Sequence, residues 1–272
     1  MQETTRETPL FQVDAFTDRT FAGNPAAVCP LTAWLPDPLM QAIAAENNLA
    51  ETAFFVPEGD GFRLRWFTPT TEMDLCGHAT LASAFVLMTE LEPARARVVF
   101  ATRSGPLIVV REGARYEMDF PARPATPTSR SIAEVAKALG ATPSSLVEAA
   151  SVVAVFDHAS DVRALRPDIA AIAALDTHAI IATAPGTDGD ADVDFVSRFF
   201  APRVGVDEDP VTGSAHCTLT PYWAERLKKN SLRARQVSAR GGELTCVLRD
   251  DRVFLGGQAV LVIRGTLLLP PT

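Results

Sequence analysis

Two short segments hold the residues best suited to chemistry: TEMDLCGHATLAS at 71–83 and DEDPVTGSAHCTL at 207–219. Each sets a glycine, Gly77 or Gly213, and other small residues where a helix would begin. A helix start presents unpaired backbone N–H groups and the positive end of the helix dipole. Such an entrance can hold a carboxylate or stabilise an enolate-like oxyanion. Glycine at one helix start would by itself signal only tight packing. Two matching starts with polar neighbours favour a binding site that includes Gly77, Gly213 and Ser214.

His78 follows Gly77 directly, and His216 lies three residues past Gly213. A lone histidine serves structure more often than catalysis, so spacing leaves both roles open. No second metal ligand is helpfully spaced around either one, and zinc is not expected. His158 and His178, in loop or strand-edge contexts, read as structural. Asp209 precedes Pro210 and fits either a turn former or a substrate contact. Glu51 sits between the polar stretch ENNLA and the apolar TAFFV. On the surface it would be inert; pressed against Leu49, Phe54 and Phe55 it would be desolvated and prepared for proton transfer near neutrality.

The elements that must position these residues follow from the chain's periodicity and punctuation. Strands are expected at 10–16, 26–31, 52–56 and 62–67, with a helix between the second and third that has Asp37 as its N-cap and Pro38 at its first position. A helix starting near His78 carries Leu81, Phe85 and Met88 on one side, and strands follow at 97–101, 106–111 and 115–120. The three prolines of PARPATPTSR mark 121–130 as a linker. Ser131 with Glu134 forms a capping-box pattern, and Gly140 ends that helix. Strands near 152–156, 179–184 and 194–200 enclose a short helix at 167–175. A helix at 213–228 and strands at 236–239, 244–249 and 253–262 complete the chain, with Asp250-Asp251 as the last hairpin turn.

The order repeats. A helix, two strands, a Phe-x-Pro (67–69 or 200–202), an acidic stretch and a glycine opening a helix occur in each half. The glycines lie 213 − 77 = 136 residues apart in a chain of 272. A duplicated two-domain architecture is expected, divided as 1–125 and 126–272, with the C-terminal strand able to return to the first half.

Composition narrows the function further. Twenty-five Lys and Arg against 33 Asp and Glu leave a formal net charge of −8, which disfavours nucleic acid as a partner. The arginines near 95–97 and 226–240 read as solvated faces. With 47% apolar and 21% charged residues, the chain has ample core for a globular protein. Four cysteines without zinc or CxxC spacing, a polar start and no long apolar run point to a protein of the reducing cytoplasm, without membrane contact.

The chain resembles the PhzF family of phenazine-biosynthesis-like isomerases. FQVDAFTDRTFAGNPAAVCPL (11–31), NNLAETAFFVP (47–57), FTPTTEMDLCGHATLA (67–82) and EDPVTGSAHCTLTPYWAERL (208–227) carry the likeness in order, spacing and total length. It implies an α+β, diaminopimelate-epimerase-like fold: two pseudo-symmetric α/β halves, each a curved sheet around a central helix, with the active site in the cleft between them. It further implies that Glu51 takes the place of the family's catalytic acid/base, while His78, Asp209 and Ser214 match polar site positions. The family's well-understood member uses no metal or organic cofactor, and relocates a hydrogen within dihydro-hydroxyanthranilate through one glutamate. Relatives commonly pair as homodimers.

The rival on this fold is an amino-acid epimerase or racemase, which needs a thiol on each face of the α-carbon, immediately before each helix-entrance glycine. Cys76 fits the first place, but Thr212 occupies the second and Cys217 comes four residues after Gly213. A threonine hydroxyl is too weak an acid–base group to replace a thiolate unaided. A third reading is a non-catalytic protein that binds a small acid. Glu51 and His78 together favour chemistry over it, because binding alone needs no base. The expected partner is a small carboxylate-bearing substrate.

Overall fold

Short runs of β-branched and aromatic residues, broken by Gly, Pro and Asp, make strands that are mostly buried on at least one face. The computed structural model describes residues 6–269, and the chain forms two units. One comprises the chain up to Met118 together with the return from Gly257, and the other runs Asp119–Gly256. The change of unit therefore comes at Met118 within a strand, seven residues before the 125/126 division drawn from the sequence.

The first unit contains β1 (Arg6–Ala15), β2 (Asn24–Pro30), α1 (Asp37–Asn47), β3 (Glu51–Glu58), β4 (Gly61–Phe67) and the two-residue β5 (Glu72–Met73). Then come α2 (Gly77–Val86), β6 (Arg97–Thr102), β7 (Gly105–Glu112) and β8 (Arg115–Pro121), the strand in which the chain changes unit. β1 pairs antiparallel with β2, β2 parallel with β3, and β3 antiparallel with β4. β4 pairs parallel with β6 and briefly with β5, and β6, β7 and β8 continue antiparallel.

The second unit adds β9 (Thr126–Pro127), α3 (Ile132–Leu139), β10 (Ser145–Glu148), β11 (Val152–Val155), α4 (Ala159–Ala164), α5 (Ile169–Ala174) and β12 (Ile180–Pro185). β13 (Phe195–Ala201), β14 (Val206–Asp209), α6 (Gly213–Leu227), β15 (Ser231–Gln236), β16 (Gly242–Arg249) and β17 (Arg252–Gly257) follow. The pairings run in the same series as before. β10–β11 is antiparallel, β11–β12 parallel, β12–β13 antiparallel and β13–β15 parallel, with short β14 also on β13. β15–β16 and β16–β17 are antiparallel. The last strand, β18 (Ala259–Leu269), lies antiparallel to β1 from Arg6↔Leu269 to Ala15↔Ala259.

Each unit buries one helix deeply, nearly all of α2 and the Ala215–Thr220 stretch of α6. α2 packs against β1, β2 and β3, and every residue from His78 to Ala84 is buried. Its small polar side chains are tolerated because Thr80 and Ser83 donate to the carbonyls of Cys76 and Ala79 at 2.6 and 2.7 Å. α6 packs on β15 and β16, and Thr220 likewise donates to the His216 carbonyl at 2.6 Å. Pro221 interrupts α6. Lacking an N–H, it leaves the Cys217 carbonyl free to accept from the Arg123 amide of the proline-rich segment, at 3.0 Å.

The two units also share a device ahead of the buried helix. Arg65 of β4 makes a two-pronged ion pair with Glu72 of β5, at 2.7 and 2.8 Å, beneath a cation–π contact with Phe67 at 5.1 Å. Arg198 of β13 pairs in the same way with Glu208 of β14, at 2.7 and 2.8 Å, and lies 5.0 Å from the Phe200 ring. These forks pin the acidic segment that leads into each helix.

The structure corrects several local expectations. The proposed capping box fails, because Ser131 occupies the N-cap of α3 without a side-chain bond. Asp37 is the first residue of α1, not its cap, and Pro36 precedes it. The strand expected at 236–239 is instead β15, where buried Leu232, Ala234 and Gln236 alternate with exposed Ser231 and Arg233. The run at 253–262 breaks after Gly257, where a Cβ would approach Phe16 Cδ1 to 2.5 Å. Sequence reasoning missed α4, β10 and the short β5 and β14. None of the described helices is long and apolar enough to cross a membrane.

Candidate active site

In the first unit, Glu51 opens β3 beside Ala26 of β2, in parallel register. The apolar run after it places Phe54 and Phe55 in the core, at 0% and 1% exposure, and the Glu51 side chain retains only 14%. His78, the second residue of α2, is 6% exposed and brings Nε2 to 3.0 Å from Glu51 Oε2. No well-angled hydrogen bond satisfies either atom among the described residues. They are close, buried and available to a third atom.

The other ring nitrogen has its own partners. Asn24 Nδ2 lies 3.1 Å from His78 Nδ1, and Cys76 Sγ lies 3.5 Å from the same atom. Nδ1 thus has two polar partners, and Nε2 is the ring nitrogen that faces Glu51. Asn24 was not among the site residues drawn from the sequence. The signal was the preceding glycine: Gly23 has φ +64°, and a Cβ there would meet the Ala15 carbonyl at 2.2 Å. The buried Asp14 carboxylate accepts from the Phe21 amide at 2.7 Å and holds the same loop.

Electrostatics couple these groups. Burial, with the Glu51 charge adding to it, pushes the Cys76 thiol up to about 11, so sulfur is protonated near neutrality. Burial also opposes the His78 cation, yet Cys76 and Glu51 hold its pKa well above the ordinary imidazole value. With the thiol protonated, the Glu51 carboxylate is the charge that sustains the His78 proton. One ligand atom each from Glu51, Cys76 and His78 fall within 4.8 Å of one another. Glu51, distant from Cys76 and His78 in sequence, reaches them through β3.

In the second unit, Asp209, Thr212 and Gln236 form a closed network. The Thr212 hydroxyl donates to Asp209 Oδ2 at 2.5 Å, while Gln236 Nε2 donates to the Asp209 carbonyl at 2.7 Å. Gln236 Oε1 in turn accepts from the Thr212 amide at 2.9 Å. Thr212 precedes Gly213 at the start of α6 as Cys76 precedes Gly77 at the start of α2, and neither helix is capped by that side chain. Gly213 is buried and Ser214 exposed. Thus Glu51, Gly77 and His78 come together in one unit, and Asp209, Gly213 and Ser214 in the other.

His216 is set apart from this chemistry. It is fully buried, its Nδ1 donates to the Thr212 carbonyl at 2.8 Å, and its ring lies 5.8 Å from that of Phe195. Burial lowers its pKa to about 4, with the Thr212 carbonyl opposing, so it is a neutral core residue.

Known proteins resemble this arrangement along nearly the whole chain. An uncharacterized isomerase of Pseudomonas aeruginosa is 52% identical over 259 residues, covering 95% of this chain and 97% of that protein. The crystal structure of a PhzF-family phenazine biosynthesis protein from Enterococcus faecalis is 45% identical, with a TM-score of 0.91 over 97% of this chain and 100% of that one. A hydroxyproline epimerase from Agrobacterium vitis shares the fold at 14% identity, with a TM-score of 0.63 over 98% of this chain and 92% of that one. The family model for phenazine biosynthesis-like proteins matches residues 13–265, and the chain belongs to that PhzC-PhzF family.

Proposed function

We propose that this protein is a cofactor-independent isomerase that relocates a proton within a small carboxylate-bearing substrate, with Glu51 as its acid/base. The observation that carries the reading is the buried 3.0 Å approach of Glu51 Oε2 to His78 Nε2, with neither atom committed to a well-angled hydrogen bond. A carboxylate held beside an imidazole can take a proton from an activated carbon. The His78 proton then faces the charge that develops on the substrate, and Glu51 returns its proton elsewhere on the same face. In this scheme the amides that open α2, at Gly77–His78, hold the substrate carboxylate, and Asp209, Gly213 and Ser214 are the polar groups the second unit offers.

The names of the relatives support isomerisation as the reaction class. Epimerisation remains the second reading because Cys76 precedes Gly77 and contacts His78. Against it, the Thr212 hydroxyl is engaged by Asp209 at 2.5 Å and offers no second-face base. The fold inherited by duplication, with pseudo-symmetric halves, and assembly as a homodimer complete the proposal. Light scattering showing a 29.2 kDa particle at all micromolar concentrations would reject the dimer.

The deciding experiment incubates candidate unsaturated or 2-substituted acids with the protein in deuterium oxide. The proposal expects deuterium at one carbon with no inversion, and loss of exchange in Glu51→Gln. Exchange accompanied by racemisation would establish the rival, and absence of exchange with a copurified acid would leave a binding protein.

A further inference from the structure

The His78 ring is held from both ends. Nε2 meets Glu51 Oε2 at 3.0 Å, and on the opposite side Nδ1 meets the Asn24 carboxamide at 3.1 Å. Strand register explains the placement. Ala26 is the partner of Glu51 in the parallel pair β2–β3, and Asn24 lies two residues before Ala26, so all three side chains leave the same face of the sheet. α2 packs against both strands and sets His78 between the carboxamide and the carboxylate.

Asn24 is built to stay there. It is fully buried and heads β2 directly after Gly23, whose φ of +64° and lack of room for a Cβ admit only glycine. The loop before it is tied down by the buried Asp14 carboxylate, which accepts from the Phe21 amide at 2.7 Å. Cys76, the other neighbour of Nδ1, is farther away at 3.5 Å, and a thiol is a weak partner as donor or acceptor.

A carboxamide suits an imidazole that changes charge. Its NH2 donates to the bare Nδ1 of a neutral ring; turned end for end, its oxygen accepts from the Nδ1–H of a cation. The two ends are close in size, so the turn asks for no movement of the backbone. Among the elements packed against α2, β3 brings Glu51 to the ring and β1 carries Asp14, which the Phe21 amide engages. β2 carries Cys29 in an apolar cluster, and β18 carries Arg264, which pairs with Glu90.

We propose that Asn24 is a positioning residue of the isomerase reaction, holding His78 by Nδ1 so that Nε2 stays directed at Glu51 whichever charge the ring carries. Its catalytic consequence rests on the isomerase reading; the hold on the ring does not.

Protein labelled with 15N-histidine tests the hold, because ring resonances report the titration midpoint of each of the four histidines, and His78→Gln assigns His78. Asn24→Asp keeps the shape and accepts, whereas Asn24→Leu keeps the size and neither donates nor accepts. The His78 midpoint should therefore lie at least about one pH unit higher in Asn24→Asp than in Asn24→Leu, with the wild type between them. A residue that merely fills space would leave the midpoints alike. Equal midpoints, a reversed order, or a ring charged in both variants wherever the protein is folded overturns the proposal. If circular dichroism shows that the leucine variant fails to fold, Asn24→Asp against the wild type gives the same ordering. In deuterium exchange on an acid that the wild type turns over, Asn24→Leu should lower kcat about 10–100-fold with KM nearly unchanged, and Asn24→Asp should recover part of that loss. The expected midpoints with undiminished kcat in Asn24→Leu would overturn the catalytic role. The expected midpoints with no exchange by the wild type would count against the isomerase reading and uphold the hold on the ring.

Discussion

Ala179 stands in the second unit where Glu51 stands in the first. Each immediately precedes a residue, Ile180 or Thr52, whose cross-strand partner is the phenylalanine of the Phe-x-Pro segment, Phe200 or Phe67. At the helix entrances, Thr212 and Ser214 likewise correspond to Cys76 and His78. The same strand pattern therefore presents acid–base groups once and apolar or neutral groups once. Glu51→Gln, which keeps size and hydrogen bonding, is expected to lower kcat by about 10²–10⁴-fold while binding of a substrate-like acid survives. Full activity in that variant would defeat the single-shuttle reading.

Cys76 separates the isomerase from the epimerase. From sequence, Cys76→Ser should be nearly silent; the 3.5 Å approach of Sγ to His78 Nδ1 refines that expectation. Serine preserves a donor to Nδ1, so turnover should fall by less than about tenfold, with the main change in the pH profile that reports His78. Epimerisation requires the same substitution to abolish activity, and steady-state rates across pH 5–9 distinguish the outcomes.

The neutral burial of His216 makes stability depend on pH. Its pKa falls from an ordinary 6.5 to about 4 on folding. Between those values the unfolded chain binds a proton that the folded chain refuses, so stability is complete above pH 6.5 and declines toward pH 4. The full effect is about 3 kcal/mol. Urea melts at several pH values should show that slope in the wild type and its reduction in His216→Gln.

Asp190 is expected to be the costliest acidic side chain to remove from the second unit. It is 1% exposed and meets Arg163 at 2.6 Å and Arg235 at 2.9 Å. Asp190→Ala leaves two guanidinium groups without their shared carboxylate and should destabilise by about 1–3 kcal/mol, since Arg235 keeps Asp192 and Glu243. Arg233 and Asp192, more than half exposed and 4.0 Å apart, provide the contrast: Arg233→Ala should shift the urea midpoint only slightly.

Much of this architecture was legible in the sequence because its local signals occur twice along the chain. Phe-x-Pro, acid and glycine located both buried helices, and Asp250 does adopt the left-handed turn, at φ 52°, before β17. What escaped was information carried by pairing. β5 and β14 are too short to show a period, and β15 was obscured because its outward positions are arginine and serine. Among site residues, the local motif CGH exposed His78 and Cys76, whereas joining Asn24 and Glu51 to them required three strands to be in register. Ser131 and Glu134 show the converse: a motif can be present without the bonds it advertises.

The pairing of β1 with β18 has a consequence for the order of events during synthesis. Ten residues near the beginning of the chain, Arg6–Ala15, pair with β2 on one edge over Phe11–Ala15, but their other edge is filled only by Ala259–Leu269. The unit from Asp119 to Gly256 is contiguous and can complete itself while later residues are still being made. Proteins commonly finish the N-terminal domain first as they leave the ribosome; here the earlier-emerging unit must wait with one edge of β1 open. Limited proteolysis of ribosome-arrested chains ending near residue 258 should find 119–256 protected and the N-terminal unit still vulnerable, with protection gained once the last strand emerges.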